Sequence, residues 1–163
     1  MAIDFSQVKT ITIPEGSVKK ITDSTGNTLW QGVGWHTVWE GNQKIGYGGW
    51  TGSEYLFATE PYSNTLKIRV SFSSLYAWKP SGDDGNYEYI PSNKNSPVTY
   101  SSISSNLTTL VESYVWNSSR QARYGAYLYY NKNTGKIYGN TSEYNSSGYA
   151  RAYIVITKIE VYS

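Results

Sequence analysis

Between Leu66 and Phe72 the chain alternates strictly. Leu66, Ile68, Val70 and Phe72 are apolar, and Lys67, Arg69 and Ser71 fall between them. Neighbouring side chains on a strand point to opposite faces, so this spacing predicts a strand with one buried and one wet face; a helix would scatter the four around its circumference. It is taken as the middle of a β-sandwich. Towards the N-terminus, Val8 to Ile13, Val18 to Asp23 and Thr28 to Trp30 predict three short strands, broken by Pro14-Glu15-Gly16 and by a turn at Ser24-Thr25-Gly26-Asn27. Three short strands make a poor core alone, so residues 1–31 read as a module that packs on something else, with 32–34 as a joint.

The main domain is expected over residues 35–163. Its predicted strands are Trp35 to Glu40, Lys44 to Tyr47 after a turn at Gly41-Asn42, Ser53 to Ala58, the Leu66 strand, Tyr87 to Ile90, Val98 to Ile103, and Leu107 to Trp116, whose first turn could be helical. Ala122 to Tyr130 and Lys136 to Tyr138 predict a hairpin around Asn131 to Gly135. Ser- and Asn-rich loops are expected at 101–106, 117–119 and 140–147. Tyr149 to Tyr162 closes the chain as the longest strand, apolar on both faces. Eight or nine strands at intervals near ten residues suit an antiparallel β-sandwich, jelly-roll-like. The fold class is therefore all-β: a small N-terminal three-stranded β module followed by the sandwich.

Composition sharpens this picture. The 163 residues include 17 Tyr, 6 Trp and 3 Phe against one Met, favouring strands over helices. Without cysteine there are no disulfides or thiolate metal sites. A net charge of +2 with no dense basic run argues against nucleic acid, and no apolar run reaches the roughly 20 residues of a membrane span. Met1 to Phe5 lacks the basic-then-apolar pattern of a signal segment, so synthesis in a cytoplasm is expected.

Catalytic candidates are thin. His36 is the sole histidine and has no Cys or Asp at a triad or metal spacing, so it is read as structural. Asp83-Asp84-Gly85-Asn86 resembles part of a calcium loop without its later glutamate and reads as a turn. Glu40, Glu54, Glu60, Glu88, Glu112, Glu143 and Glu160 sit in no motif that would pair two of them for glycoside hydrolysis. Neither an enzyme nor a cofactor or metal is expected. The loop aromatics Trp50, Trp78, Tyr87, Tyr89, Tyr144 and Tyr149 are the candidate glycan or partner site, because flat rings stack on sugar and their polar tips tolerate water; the competing reading packs them on neighbouring loops or a sister subunit.

One stretch carries a family likeness. Ile11-Thr-Ile-Pro-Glu-Gly-Ser-Val-Lys-Lys-Ile-Thr-Asp-Ser-Thr-Gly-Asn-Thr-Leu-Trp30 resembles a module near the start of tailed-bacteriophage virion proteins. Trp35-His-Thr-Val-Trp-Glu-Gly41, the Leu66 strand and Ile156-Thr-Lys-Ile-Glu-Val161 resemble the opening, middle and closing strands of phage fibre and tail sandwiches. Residues 73–150 carry no such likeness. The resemblance implies a non-enzymatic virion structural protein: a head fibre, capsid decoration or tail and baseplate appendage. It would assemble in the host bacterial cytoplasm, contact other virion proteins and self-associate, a trimer being implied by the family alone. Val18, Ile21, Leu29 and Trp30 would attach it to the particle, and the sandwich would face a host surface glycan. The alternative is a carbohydrate-binding module of a cell-wall-active protein; a small glycosidase or lyase is a third, remoter reading.

Overall fold

The structure, a computed structural model, describes residues 20–22, 25, 28–31, 34–78, 86–89, 95–117, 122–144 and 151–162. The chain forms two compact units, Met1–Gly34 and Trp35–Ser163. In the first, β1 (Lys20–Thr22) and β2 (Thr28–Gln31) form an antiparallel hairpin with Ile21 opposite Trp30. The strand expected over Val8 to Ile13 and the residue Val18 lie outside the described residues.

The second unit is all-β. In chain order it contains β3 (Trp35–Gly46), β4 (Tyr55–Thr59), β5 (Lys67–Trp78), β6 (Asn86–Tyr89), β7 (Val98–Tyr100), β8 (Leu107–Asn117), β9 (Ala122–Asn131), β10 (Lys136–Tyr144) and β11 (Arg151–Tyr162). They make a four-stranded sheet, β3-β11-β5-β7, and a five-stranded sheet, β4-β10-β9-β8-β6, with antiparallel pairing throughout. β3 and β4 pair with β11 and β10 in the two different sheets, so one ribbon winds from sheet to sheet. β8, β9 and β10 follow one another as a meander.

The core lies between the sheets. Leu66, Ile68, Val70 and Phe72 are 3, 0, 0 and 8 % exposed, the face that the alternation predicts. They pack in one cluster with Leu110, Val111, Ala126, Leu128 and Tyr130 of the other sheet. β11 departs from the expectation of two apolar faces. Ala152, Ile154 and Ile156 are buried, and then Ile159 and Val161, all 0 % exposed. The phase changes because Thr157 is an extra residue at a register slip, and one inserted residue turns every later side chain over. A matching slip on β5, where Phe72 opposes Ile156 and Ser74 opposes Val155, leaves Ser73 as the extra residue. The pair of bulges brings both apolar runs into the same core.

Two other expectations change, one strand is shorter than expected and one open alternative closes as strand. Gly41-Asn42 is not a turn: β3 runs through it, and Gly41 seats the indole of Trp39, whose Cζ2 lies 2.9 Å from where a Cβ would stand. Leu107 to Trp116 begins as strand, because Leu107 to Thr109 pair along β9. The polar run 140–144, expected in a loop, continues β10, since β9 offers a full ladder from Tyr127 to Arg123. Thr99 and Tyr100 end β7, while Ile103 beyond it is buried in the core.

Candidate functional site

The outer face of the four-stranded sheet is built by register. Directly opposed residues share a face, so Lys44, Val155 and Ser74 form one outward row and Gly46, Tyr153 and Tyr76 the next. Arg151 opposite Trp78 forms the last. Tyr47 joins them because the chain turns at Gly46 (φ 101°), with Tyr47 N–H donating to the Ala152 carbonyl at 2.9 Å. Rings and cations interleave here. The Arg151 guanidinium lies 4.5 Å from the Tyr47 ring centre and 5.1 Å from that of Trp78. Lys44 Nζ stands 4.0 Å over the Tyr153 ring, which stacks on Tyr76 at 4.9 Å and 14°. Beneath, Ala77 and Ala152 pack on Val115 and Tyr124 in a small second cluster. Contacts between a cation and a ring contribute roughly 0.5–2 kcal/mol each and restrict long side chains that would otherwise sweep the solvent.

Further along the same face the charges are satisfied internally. Arg69 Nε and Lys158 Nζ reach the two oxygens of Glu160 at 2.9 and 3.0 Å. The Arg69 hydrogen bond foremost, aided by Lys158, holds the Glu160 carboxyl below its ordinary range against the opposing effect of burial. Arg69 also covers Trp35 at 4.2 Å, and Lys67 covers Tyr162 at 4.8 Å.

The sequence-derived site residues divide between the two sheets. Trp78 belongs to the patch just described and is 37 % exposed. Trp50, 40 % exposed, sits in the glycine-rich loop after β3 and meets Tyr55 edge-on at 5.7 Å. Tyr87, Tyr89 and Tyr144 belong to the five-stranded sheet. There the register lines Tyr144, Arg123, Trp116 and Tyr87 up across four strands, with Ser142, Gly125, Tyr114 and Tyr89 in an adjacent row. Tyr149 lies outside the described residues. The backbones of Ile21, Leu29 and Trp30 are placed on the β1–β2 hairpin.

Loop-based reasoning missed the rings that lie on the strands themselves. On the five-stranded sheet, Tyr127 points away from core-facing Ala126 and Leu128 yet is only 2 % exposed. Its ring is laid back over Gly125, where an added Cβ would stand 2.2 Å from the hydroxyl, and it stacks on Tyr129 at 5.5 Å. Tyr129 in turn tilts against Tyr138 at 5.7 Å. Burial foremost, with the charge of Glu54, raises the Tyr138 phenol above its usual range. Arg151, Lys44 and Tyr47 were also missed. Their signal, Gly-Tyr-Gly-Gly after one strand and Arg-Ala-Tyr opening another, becomes visible only when the two strands are paired.

A small group of titratable residues occupies the opposite end of the sandwich. Tyr130 hydroxyl donates to the Glu60 carbonyl at 3.0 Å. Burial raises the Glu60 carboxyl, partly offset by His36. His36 Nδ1 is buried without a hydrogen-bond partner among the described residues. No three His, Cys, Asp or Glu gather as a metal site among the described residues. The described arrangement is suited to holding a ligand against rings and fixed charges. No protein-family model, curated protein or solved structure matches this chain.

Proposed function

We propose that this chain is a non-enzymatic structural component of a tailed-bacteriophage particle: a head fibre, capsid decoration or tail and baseplate appendage. Its N-terminal unit docks on other virion proteins through Val18, Ile21, Leu29 and Trp30, and its sandwich faces outward and binds a host surface glycan. The particle is its location, and self-association, as a trimer by the family likeness, accompanies assembly. The observation that carries the binding role is the outer surface of the sandwich: Tyr47, Tyr76, Trp78 and Tyr153 tile one sheet and Tyr129 and Tyr138 lie on the other. Rings grouped with fixed cations on an exposed sheet face form a surface suited to a ligand with flat apolar and polar faces. The docking role rests on the Ile11 to Trp30 likeness and on the separation of the chain into two units at Gly34.

Deleting residues 1–31 tests the docking. Incorporation into particles is expected to vanish while the sandwich keeps its β-sheet circular dichroism; unchanged incorporation overturns the reading. The same aromatic surface favours a second reading, a carbohydrate-binding module of a cell-wall-active protein. Light scattering on the full and shortened chains separates them, since a trimer in both places self-association in the sandwich and supports a fibre. A monomer in both favours a decoration protein held only by the particle, or the module.

A further inference from the structure

Resting on the reading of the sandwich as a glycan-binding scaffold, we infer that the patch around Arg151 and Lys44 recognises an acidic polysaccharide, one whose sugars carry carboxylates. Charge is the first argument. The outward rows of the four-stranded sheet hold Lys44, Lys67, Arg69, Arg151 and Lys158 against Glu40 and Glu160. That face alone is therefore +3 (five minus two), whereas the whole chain is +2. The excess is local. Arg69 and Lys158 share Glu160, but the rows from Lys44 to Trp78 contain no acid, and neither Lys44 nor Arg151 has a carboxylate partner among the described residues.

Geometry is the second. Arg151 is flanked by two rings, which fix its planar fork and leave its N–H edges as the groups that can bind; that fork matches a carboxylate in two-point fashion. Lys44, held on Tyr153, supplies a second fixed positive point. A cation already immobilised loses little rotamer freedom on binding. Arg151 and Val155, the residue opposite Lys44, are four positions apart on β11, roughly 13 Å of strand at ~3.3 Å per residue. A chain with repeated charges spans that distance better than one small anion.

The third argument separates a glycan from a nucleic acid, which would need open ring faces on which to stack its bases. Here Tyr153 is occupied by Lys44 and Tyr76, and Tyr47 and Trp78 are turned to Arg151. What the patch leaves available is the hydrogen-bonding capacity of its two held cations, which suits a chain bearing carboxylates and hydroxyls.

The test is calorimetry on the full chain with polygalacturonate, alginate and hyaluronan, alongside dextran, poly-glutamate and oligo-thymidylate. An acidic polysaccharide is expected to bind, more weakly as salt rises from about 50 to about 500 mM. Arg151→Gln and Lys44→Gln are each expected to cost about tenfold or more in affinity while melting as the parent does. Lys136→Gln, whose cation pairs with Glu54 on the other sheet, should change nothing. Binding unmoved by both patch substitutions overturns the inference. Poly-glutamate or oligo-thymidylate binding as tightly, with the same losses, also overturns it in favour of a general polyanion site. Dextran binding that ignores Arg151→Gln overturns it while leaving the glycan-binding scaffold standing, and no binding to any of the polysaccharides removes both.

Discussion

Replacing Gly46 by alanine tests how the patch is held together. Gly46 ends β3 with φ 101°, and a Cβ there would stand 2.3 Å from the Ala152 carbonyl oxygen and 3.0 Å from the Ala126 Cβ and Tyr153 Cα. The positive φ costs a residue with a side chain about 1–2 kcal/mol. The first contact is with backbone, so it cannot be relieved by a rotamer change. β11 must retreat by most of an ångström, weakening the Tyr47 N–H bond to Ala152, worth about 1 kcal/mol, and loosening buried packing by about as much again. The sum is about 3–4 kcal/mol, a large share of the ~5–15 kcal/mol that keeps a domain folded. Urea unfolding followed by tryptophan fluorescence, with thermal melting, reads it as a fall of about 10 °C or more in Tm. Gly34→Ala is the control: nothing lies within 4 Å of its added Cβ, so it should shift stability by no more than about 0.5 kcal/mol. Should Gly46→Ala stay within that same margin, the close approach of β3 and β11 has been misjudged, and with it the placement of Tyr47 beside Arg151.

Other outcomes follow from the same contacts. Ile156→Ala, in a fully buried site between the two bulges, should cost about 3–4 kcal/mol by urea unfolding, and less than 1 kcal/mol would mean that the site collapses freely. Glu160 has a lowered folded pKa, so it stabilises above its ordinary value of 4.5, and that stability is lost as pH falls through the lowered value; Glu160→Gln should flatten this acid limb of a stability–pH curve. Glu60 behaves oppositely: its raised folded pKa gives stability below 4.5 that is lost as pH rises through the raised value, and Glu60→Gln should remove that loss. Gly125→Ala should displace the Tyr127 ring, altering near-ultraviolet circular dichroism at a cost of only about 1–2 kcal/mol, because a side-chain tip can move where backbone cannot.

The Leu66 strand is legible from sequence because its alternation is uninterrupted until Ser73, where the first bulge falls. β11 is harder. Ile154 and Ile156 occupy even positions and Ile159 and Val161 odd ones, which looks like two apolar faces until Thr157 is seen as an extra residue. Gly41 carries a turn signal, but its missing side chain makes room for Trp39 rather than for a bend. Residues 140–144 have little strand propensity of their own, and the partner strand decides their state. The same holds for the site. Trp78 stands out in any reading of aromatics, whereas Arg151 and Lys44 acquire meaning only through neighbours more than 70 and 100 positions away in the chain.

The sheet edges bear on how copies of the protein behave when crowded. An open strand edge is a template on which another chain can zip. β7, β6 and β4 are edges of three, four and five residues, too short to recruit a long partner. β3 has twelve residues, but its register slips twice against β11, and a kinked strand makes a poor template. Past the reach of β7, side chains occupy polar groups of β5: Ser96 Oγ accepts from the Phe72 N–H at 2.8 Å, and Ser113 Oγ donates to the Tyr76 carbonyl. Many such sandwiches can therefore stand side by side at high local concentration without fusing into continuous sheet, leaving their broad faces, rather than their edges, to choose what they touch.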